Sequence, residues 1–399
     1  MNNPEGDQIY TIANITEDHN ITATFEQSYT TLTNDGLVYN VASAEDGTVV
    51  LANVDYGLWI EVPRSFNANN REWIVTGVEN GALQSATELA AIIWNPDAKF
   101  TASVNNPNLL LYVKSKDYAP SGINNVIVDN WAENIILTDA AEGNNFYCPQ
   151  AFNAAKVTYV HNYSMKTGFN TCQGWETIVL PFDVAVMTNK AGSILVPYSL
   201  WSHNDNNKRP FWLYTRDEAE GWKSADAINA NVPYIISMPN NENYDATYNQ
   251  SGDIEFTASN VEVKASDNLW GRKYGNCTLM PNYQNRDRSS DILALNVNNL
   301  WDKYTESEFL EGSTFIKDLR PVRPFEAYMI LEGSSATRAI SIFGDGNTTG
   351  IMNLPTDGIN GVIKVYSLSG TLLKQGKREE VMSSLPRGIY IIDGKKVIK

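Results

Sequence analysis

Between residues 126 and 350 the chain is written almost entirely in short apolar or alternating runs, among them NVIVDN, ENIILTD, AKVTYVHNY, WETIVLPFDVAVM, VPYIISMP, DIEFTA, FEAYMILEG and AISIFGDG. Asn, Asp, Gly and Pro stand between them, and these are the residues that turns demand. Each run has the length of a strand, and helical periodicity is nearly absent. A chain patterned this way is confined to β architecture, and the spacing predicts one or two β-sandwich modules over 126-350.

Upstream, Asn-Ile-Thr-Ala-Thr-Phe at 20-25 alternates strictly, with Ile21, Ala23 and Phe25 on one face. The stretch GLVYNVASAEDGTVVLANVDYGLWIEVPRSF (36-66) places two alternating runs around Asp46-Gly47, a dipeptide suited to a tight hairpin. In REWIVTGVENGALQSATELAAIIWNP (71-96) the expected inward positions are Val75, Val78, Ala82, Leu83, Leu89 and Ile92. That spacing resembles a BspA-like leucine-rich repeat, with Leu83 where the family usually has Phe. A degenerate second turn is expected in NPNLLLYVKSKDYAP (106-120). One repeat cannot bury its own face, so neighbouring β modules must cover it. YTIANITEDHNITATFE (10-26) is similar to the closing strands of an internalin-type B-repeat. Because the match begins partway through such a repeat, and no basic-then-apolar leader opens the chain, more sequence is expected upstream of Met1. GWETIVLPFDV (174-184), PFWLYTRDEAEGW (210-222), VPYIISMP (232-239) and RPVRPFEAYMI (320-330) resemble a module that accompanies these repeats in Bacteroidales surface proteins.

The tail is a separate unit. GDGNTTGI (344-351) reads as a linker, and residues 351-399 hold eight Lys or Arg against four Asp or Glu, a net of +4 in a chain whose total is −16. Three strands are expected there, the first containing Ile363 and Val365, the second Ile389 and Ile391, the third entered through an Asp393-Gly394 turn. The positions Val365, Tyr366, Gly370, Leu385, Pro386, Gly388, Ile389, Tyr390, Gly394, Lys395, Lys396 and Val397 resemble the C-terminal sorting domain of type IX secretion substrates. This resemblance implies an extracellular or outer-membrane address.

Charge and composition remove several classes. A net charge of −16 opposes nucleic-acid binding, which needs a basic stripe. No run reaches the roughly 18 apolar residues of a membrane span. Cys148, Cys172 and Cys277 cannot all pair within one chain, and they form no Cys-x-x-Cys metal or redox motif.

Candidate chemistry is sparse. The histidines are His19, His161 and His203, none within a familiar catalytic motif. A cysteine nucleophile served by His161 is one reading, and a merely buried thiol is the plainer one. Glu218 with Glu220 and Glu306 with Glu308 are the nearest carboxylate pairs for glycoside hydrolysis, but in an acidic chain such pairs are usually solvated surface. Ser202 to Asn207 is rich in calcium-type oxygen donors but lacks the Gly and terminal Glu of a calcium loop. Asn14, Asn20, Asn162, Asn249, Asn276 and Asn347 begin glycosylation sequons, which the bacterial resemblances make chance matches. The aromatic cluster Trp201, Phe211, Trp212, Tyr214 and Trp222 is the best candidate ligand surface, since flat rings beside Asn and Asp stack on sugars. Core packing on alternating strands, which bury about half their side chains, is the plainer and favoured account of the same residues.

The resulting expectation is a mainly β, multi-module chain: 1-28 the end of a B-repeat, 29-125 a hairpin cap and leucine-rich-repeat-like unit, 126-350 one or two β-sandwiches, 351-399 a sorting-type β tail. Its expected role is non-enzymatic binding of a host protein, matrix or glycan, as a monomer, without cofactor, metal or nucleic acid. The alternatives are a carbohydrate-binding module of a polysaccharide-uptake system, with Trp201, Trp212, Tyr214 and Trp222 as ligand residues, and a hydrolase with an unrecognised site.

Overall fold

The computed structural model describes residues 30-55, 57-139, 144-168, 171-202, 207-267, 269-303, 306-333, 337-342, 362-366, 372-386, 389-392 and 395-398. The strand expected at 20-25, the B-repeat segment 1-28 and the linker 344-351 lie outside these residues, as do Gly370, Gly388 and Gly394. The chain is mainly β, in several sheets. Among the described residues no helix is long and apolar enough to cross a membrane.

The N-terminal strands are β1 (Thr31–Asn34), β2 (Leu37–Ser43), β3 (Thr48–Val54), β4 (Trp59–Val62), β5 (Ser65–Ala68) and β6 (Arg71–Val78). Five of them form a sheet in the order β1-β2-β3-β6-β5. The hairpin expected around Asp46-Gly47 joins β2 to β3. Gly47 has φ +67°, and a Cβ there would stand 2.9 Å from the Arg71 guanidinium, whose Nη2 donates to the Glu45 carbonyl at 2.6 Å. The backbone angle therefore favours glycine, while the guanidinium, at the end of a flexible side chain, could shift.

The fourth strand leaves this sheet and starts a parallel ladder with β7 (Ala91–Trp94), β8 (Leu110–Val113) and β9 (Val126–Val128). Alternate residues serve different cores. Ala91, Leu110, Tyr112 and Ile127 join one, while Ile60, Val62, Ile92, Trp94, Leu111 and Val113 join the other. Burial on both faces explains why β8 is an unbroken apolar run rather than an alternating one. Of the expected inward positions, Val75, Val78, Ala82, Leu89 and Ile92 are buried, and Leu83 packs half-buried against the same cluster.

Hydrogen bonding continues from β9 through β10 (Trp131–Ala132) to the long β12 (Phe152–Tyr163), whose other stretch pairs with β11 (Ile135–Thr138). The sheet then runs through β19 (Gly252–Val263), β14 (Val186–Asn189), β15 (Ile194–Pro197), β16 (Lys208–Asp217) and β18 (Tyr234–Ser237) to β13 (Glu176–Ile178), with β17 (Gly221–Ser224) added beside β16. Tyr159 of β12, Phe256 of β19, Leu213 of β16 and Ile236 of β18 share one core, so the sheet closes over itself. A six-stranded sheet follows, built from β20 (Arg272–Tyr274), β21 (Cys277–Pro281), β22 (Ile292–Leu295), β25 (Thr314–Lys317), β26 (Ala327–Leu331) and β27 (Ala339–Ser341); the hairpin of β23 (Leu300–Asp302) and β24 (Ser307–Phe309) projects from it. Its core takes in Tyr214 and Ile235 from the preceding sheet and Trp175 from the segment just before β13.

Buried asparagines tie the connections down. Asn108, Asn125, Asn145 and Asn296 are all 0% exposed. Asn125 Nδ2 donates to the Pro107 and Ile136 carbonyls at 3.0 and 3.1 Å, and its Oδ1 accepts the Ile136 amide at 2.7 Å. Asn108 repeats the device on Thr138 and Asn144, with bonds of 2.7 to 2.8 Å. Asn296 does the same for the turn before β25, bonding the Leu310 carbonyl and the Ser313 and Thr314 amides at 2.7 to 3.0 Å. Each side chain mimics a peptide unit, satisfying loop groups that no neighbouring strand reaches.

The tail holds four strands rather than the three expected, in the order β29-β28-β30-β31: β28 (Val362–Tyr366), β29 (Leu372–Lys377), β30 (Ile389–Ile392) and β31 (Lys395–Ile398). A helix, α1 (Arg378–Ser384), also stands where none was expected. Its signal is the i, i+4 pair Val381 and Leu385, both buried with Val365 and Tyr390 in a small core. Seven residues of helix are too short to register as periodicity in a window tuned to strands.

Replacing Asn125 with Ala strands two carbonyls and one amide in a dry interior. We expect a loss of about 3 kcal/mol of unfolding free energy, read from the urea midpoint. Asn124→Ala, at an exposed position next to it, should change stability by less than about 0.5 kcal/mol.

Candidate functional site

Strand β16 decides where the aromatic residues go. Phe211 and Leu213 point to the larger core, whereas Trp212, Tyr214 and Arg216 lie on its other face at i, i+2 and i+4. The four ligand candidates therefore separate. Trp201 and Trp212 are brought together, both half-buried, through Tyr198 of the short turn after β15. The Tyr198 ring stacks against Trp212 at 6.4 Å and 23°, and tilts against Trp201 at 5.8 Å. Tyr214 is 8% exposed and meets Trp175 edge-on at 5.7 Å, which makes it a core residue rather than a ligand platform. Trp222 belongs to a different neighbourhood, over the Arg216 guanidinium.

Three residues absent from the sequence reading complete the first group. Tyr248 meets Trp201 edge-on at 5.3 Å, Tyr244 tilts on Trp212 at 5.7 Å, and the Arg209 guanidinium lies 5.3 Å from the Tyr248 ring. The Tyr244 hydroxyl donates to the Gly168 carbonyl at 3.0 Å, and burial pushes its pKa up to about 12. Tyr248 is held by its amide, which bonds the Asp245 carbonyl at 2.8 Å. At the rim, bonds from the Thr247 side chain and amide hold the exposed Asp245 carboxyl below the usual carboxylate range, with Arg209 adding to the effect. The assembly presents the faces and edges of Tyr198, Trp201, Trp212 and Tyr248, edged by one cation and one anion. The i, i+4 pair of tyrosines in NYDATYNQ was visible in the sequence, but nothing there placed it beside Trp201.

A second cluster surrounds His161. Its Nδ1 lies 2.5 Å from Asp139 Oδ2 and its Nε2 2.7 Å from Glu176 Oε2, joining the end of β11, β12 and β13. The Tyr159 hydroxyl donates to the same Asp139 oxygen at 2.8 Å, and the Tyr163 ring packs edge-on to the imidazole at 4.4 Å. Burial by itself would lower the His161 pKa, but the two carboxylate hydrogen bonds outweigh it and raise it to about 10. Burial likewise works to raise Asp139, yet the bond with His161 holds it below its ordinary value. The group is an imidazolium clamped between carboxylates, with both ring nitrogens committed as donors.

The other candidates stay apart. Cys148 is 0% exposed, contacts the Tyr112 hydroxyl at 3.5 Å and the Gln150 carbonyl at 3.2 Å, and burial pushes its thiol up to about 12. None of the three cysteines is in a disulfide. Glu218 and Glu220 are exposed on the turn after β16, and Glu306 and Glu308 are exposed at the β23–β24 hairpin. His19, and residues 203-206 of the oxygen-rich loop, lie outside the described residues.

No family model matches this chain, and no curated protein or solved structure matches it either.

The His161 clamp carries a pH signature. Its folded pKa of about 10 stands above the unfolded value of about 6.5, so its stabilisation is complete below the unfolded value and disappears as pH rises through 10. Asp139, with its lowered pKa, contributes in the opposite direction and loses its share as pH falls below the ordinary 3.8. We expect urea midpoints to decline as pH is raised from about 7 to about 10. His161→Gln should flatten that decline and lower stability at neutral pH by about 3 kcal/mol, because two carboxylates are left facing each other.

Proposed function

We propose that this chain is a non-enzymatic binding protein, exported to the cell surface or beyond it, and that the aromatic assembly around Trp201 and Trp212 takes a glycan. The observation that carries this reading is the grouping of Tyr198, Trp201, Trp212 and Tyr248 as half-buried rings at one rim with Arg209 and Asp245. Aromatic faces match the C–H face of a sugar ring, and a charged pair at the edge supplies a donor and an acceptor for its hydroxyls. Both ring nitrogens of His161 are engaged by carboxylates, which argues against His161 as a general base.

Two further features support the surface setting. The parallel ladder of β4, β7, β8 and β9 is the arrangement that stacked repeats produce, in keeping with the repeat resemblance. The tail residues Val365, Leu385 and Tyr390 form a small core of their own, in keeping with a separate address module.

A glycan array followed by calorimetry on the best ligand tests the site. Trp201→Ala with Tyr248→Ala should weaken binding by about tenfold or more, since stacked aromatics dominate such contacts. Tyr214→Phe should leave affinity unchanged. Full affinity in the double variant would remove the assignment.

A further inference from the structure

Some distance along the same face of β16, Arg216 occupies an unusual position. It is 7% exposed, its Nε is buried without a hydrogen-bond partner, and none of the ion pairs among the described residues includes it. Two rings lie against the guanidinium, Trp222 with its centroid at 4.8 Å and Tyr274 at 5.4 Å. The neighbouring carboxylate, Asp217, is already engaged: its Oδ1 accepts the Ala219 and Glu220 amides at 2.9 and 3.2 Å, and its Oδ2 lies 3.9 Å from Lys223. The remaining polar neighbour is the Cys277 thiol, whose partnership with the guanidinium brings no full negative charge. A charge taken out of water this far is ordinarily matched by an opposite one, and here the protein supplies none.

We infer that the slot between Trp222 and Tyr274 is an anion site, in which Arg216 receives the carboxylate or sulfate group of an acidic ligand. A guanidinium offers paired donors to a planar or tetrahedral oxyanion, and flanking rings fix its plane while keeping it dry. The walls are built for this. Gly221, at φ +77°, gives the chain the left-handed backbone angle at which it enters β17 beside the Tyr274 ring. Trp222 pairs directly across from Arg216 in the β16–β17 hairpin. Tyr274 is 41% exposed and forms the solvent side of the slot. On the same strand, Lys273 is bound to Glu332 at 2.7 Å, while the exposed Arg272 appears in none of the ion pairs among the described residues and adds positive charge at the mouth. The site does not depend on glycan binding at Trp201, because Tyr214, buried against Trp175, separates the two along the strand.

The test uses the whole chain. Sodium sulfate, sodium glucuronate and glucose are titrated separately at constant ionic strength, adjusted with sodium chloride, while the Tm and the tryptophan fluorescence are followed. Sulfate and glucuronate should each raise the Tm of the wild type to a plateau, and glucose should not. A sulfate response without a glucuronate response assigns the slot to a free oxyanion and overturns the acidic-sugar form of the proposal. Arg216→Gln should weaken the anion response at least tenfold, and Arg216→Lys, which keeps charge but loses the fork, should weaken it less. Should Arg216→Gln fail to fold, Trp222→Phe in the same titration is decisive: the wild type should show a saturable fluorescence change that this variant lacks. A rise that never saturates, or one of equal size in Arg216→Gln, is general salt stabilisation and overturns the proposal.

Discussion

The fold depends on side-chain amides that stand in for backbone. A β chain with long connections leaves many loop N–H and C=O groups away from both strands and water, and each must find a partner. Asn108, Asn125 and Asn296 supply three bonds or more apiece from fully buried positions. Asn145 adds a tie between distant segments, accepting the Asn285 amide at 2.7 Å while the Phe146 amide bonds the Tyr283 carbonyl at 2.8 Å. These joints act together with the β9–β10–β12 pairing and the shared core to fix the parallel ladder against the strands that cover it.

Those joints make possible a sheet with two differently used faces. On the ladder, alternate residues feed separate cores, and on β16 the same alternation divides Phe211 and Leu213 from Trp212, Tyr214 and Arg216. The second set meets three different environments within one strand. Trp212 is half-buried at a rim, Tyr214 is sealed under the third sheet, and Arg216 is held by two rings with no counter-charge. An aromatic stretch in the sequence thus becomes two separate ring clusters with a plug of core between them.

The His161 clamp shows a different use of buried charge. There, two carboxylates and an imidazolium satisfy each other and link three strands, so charge serves cohesion. At Arg216 the corresponding anion is missing from the protein. The two clusters thus differ in whether the protein itself closes the charge set.

Much of the architecture was legible in the residues alone. Alternation and turn chemistry identified the β class, the Asp46-Gly47 hairpin and most inward positions of 71-96, because strand periodicity and positive φ are local properties. In the sequence the asparagines look like turn punctuation, since burial of a polar side chain is invisible until the loops it bonds are brought together. Helix α1 was missed because its single i, i+4 apolar pair is too brief a signal beside the strands around it. In the aromatic cluster, the sequence determined which rings were present and that β16 would divide them by parity. Only the tertiary structure decided that Tyr248 joins Trp201 and Tyr244 joins Trp212, that Tyr214 is core, and that Arg216 lacks a counter-ion, because those outcomes rest on contacts between segments far apart in the chain.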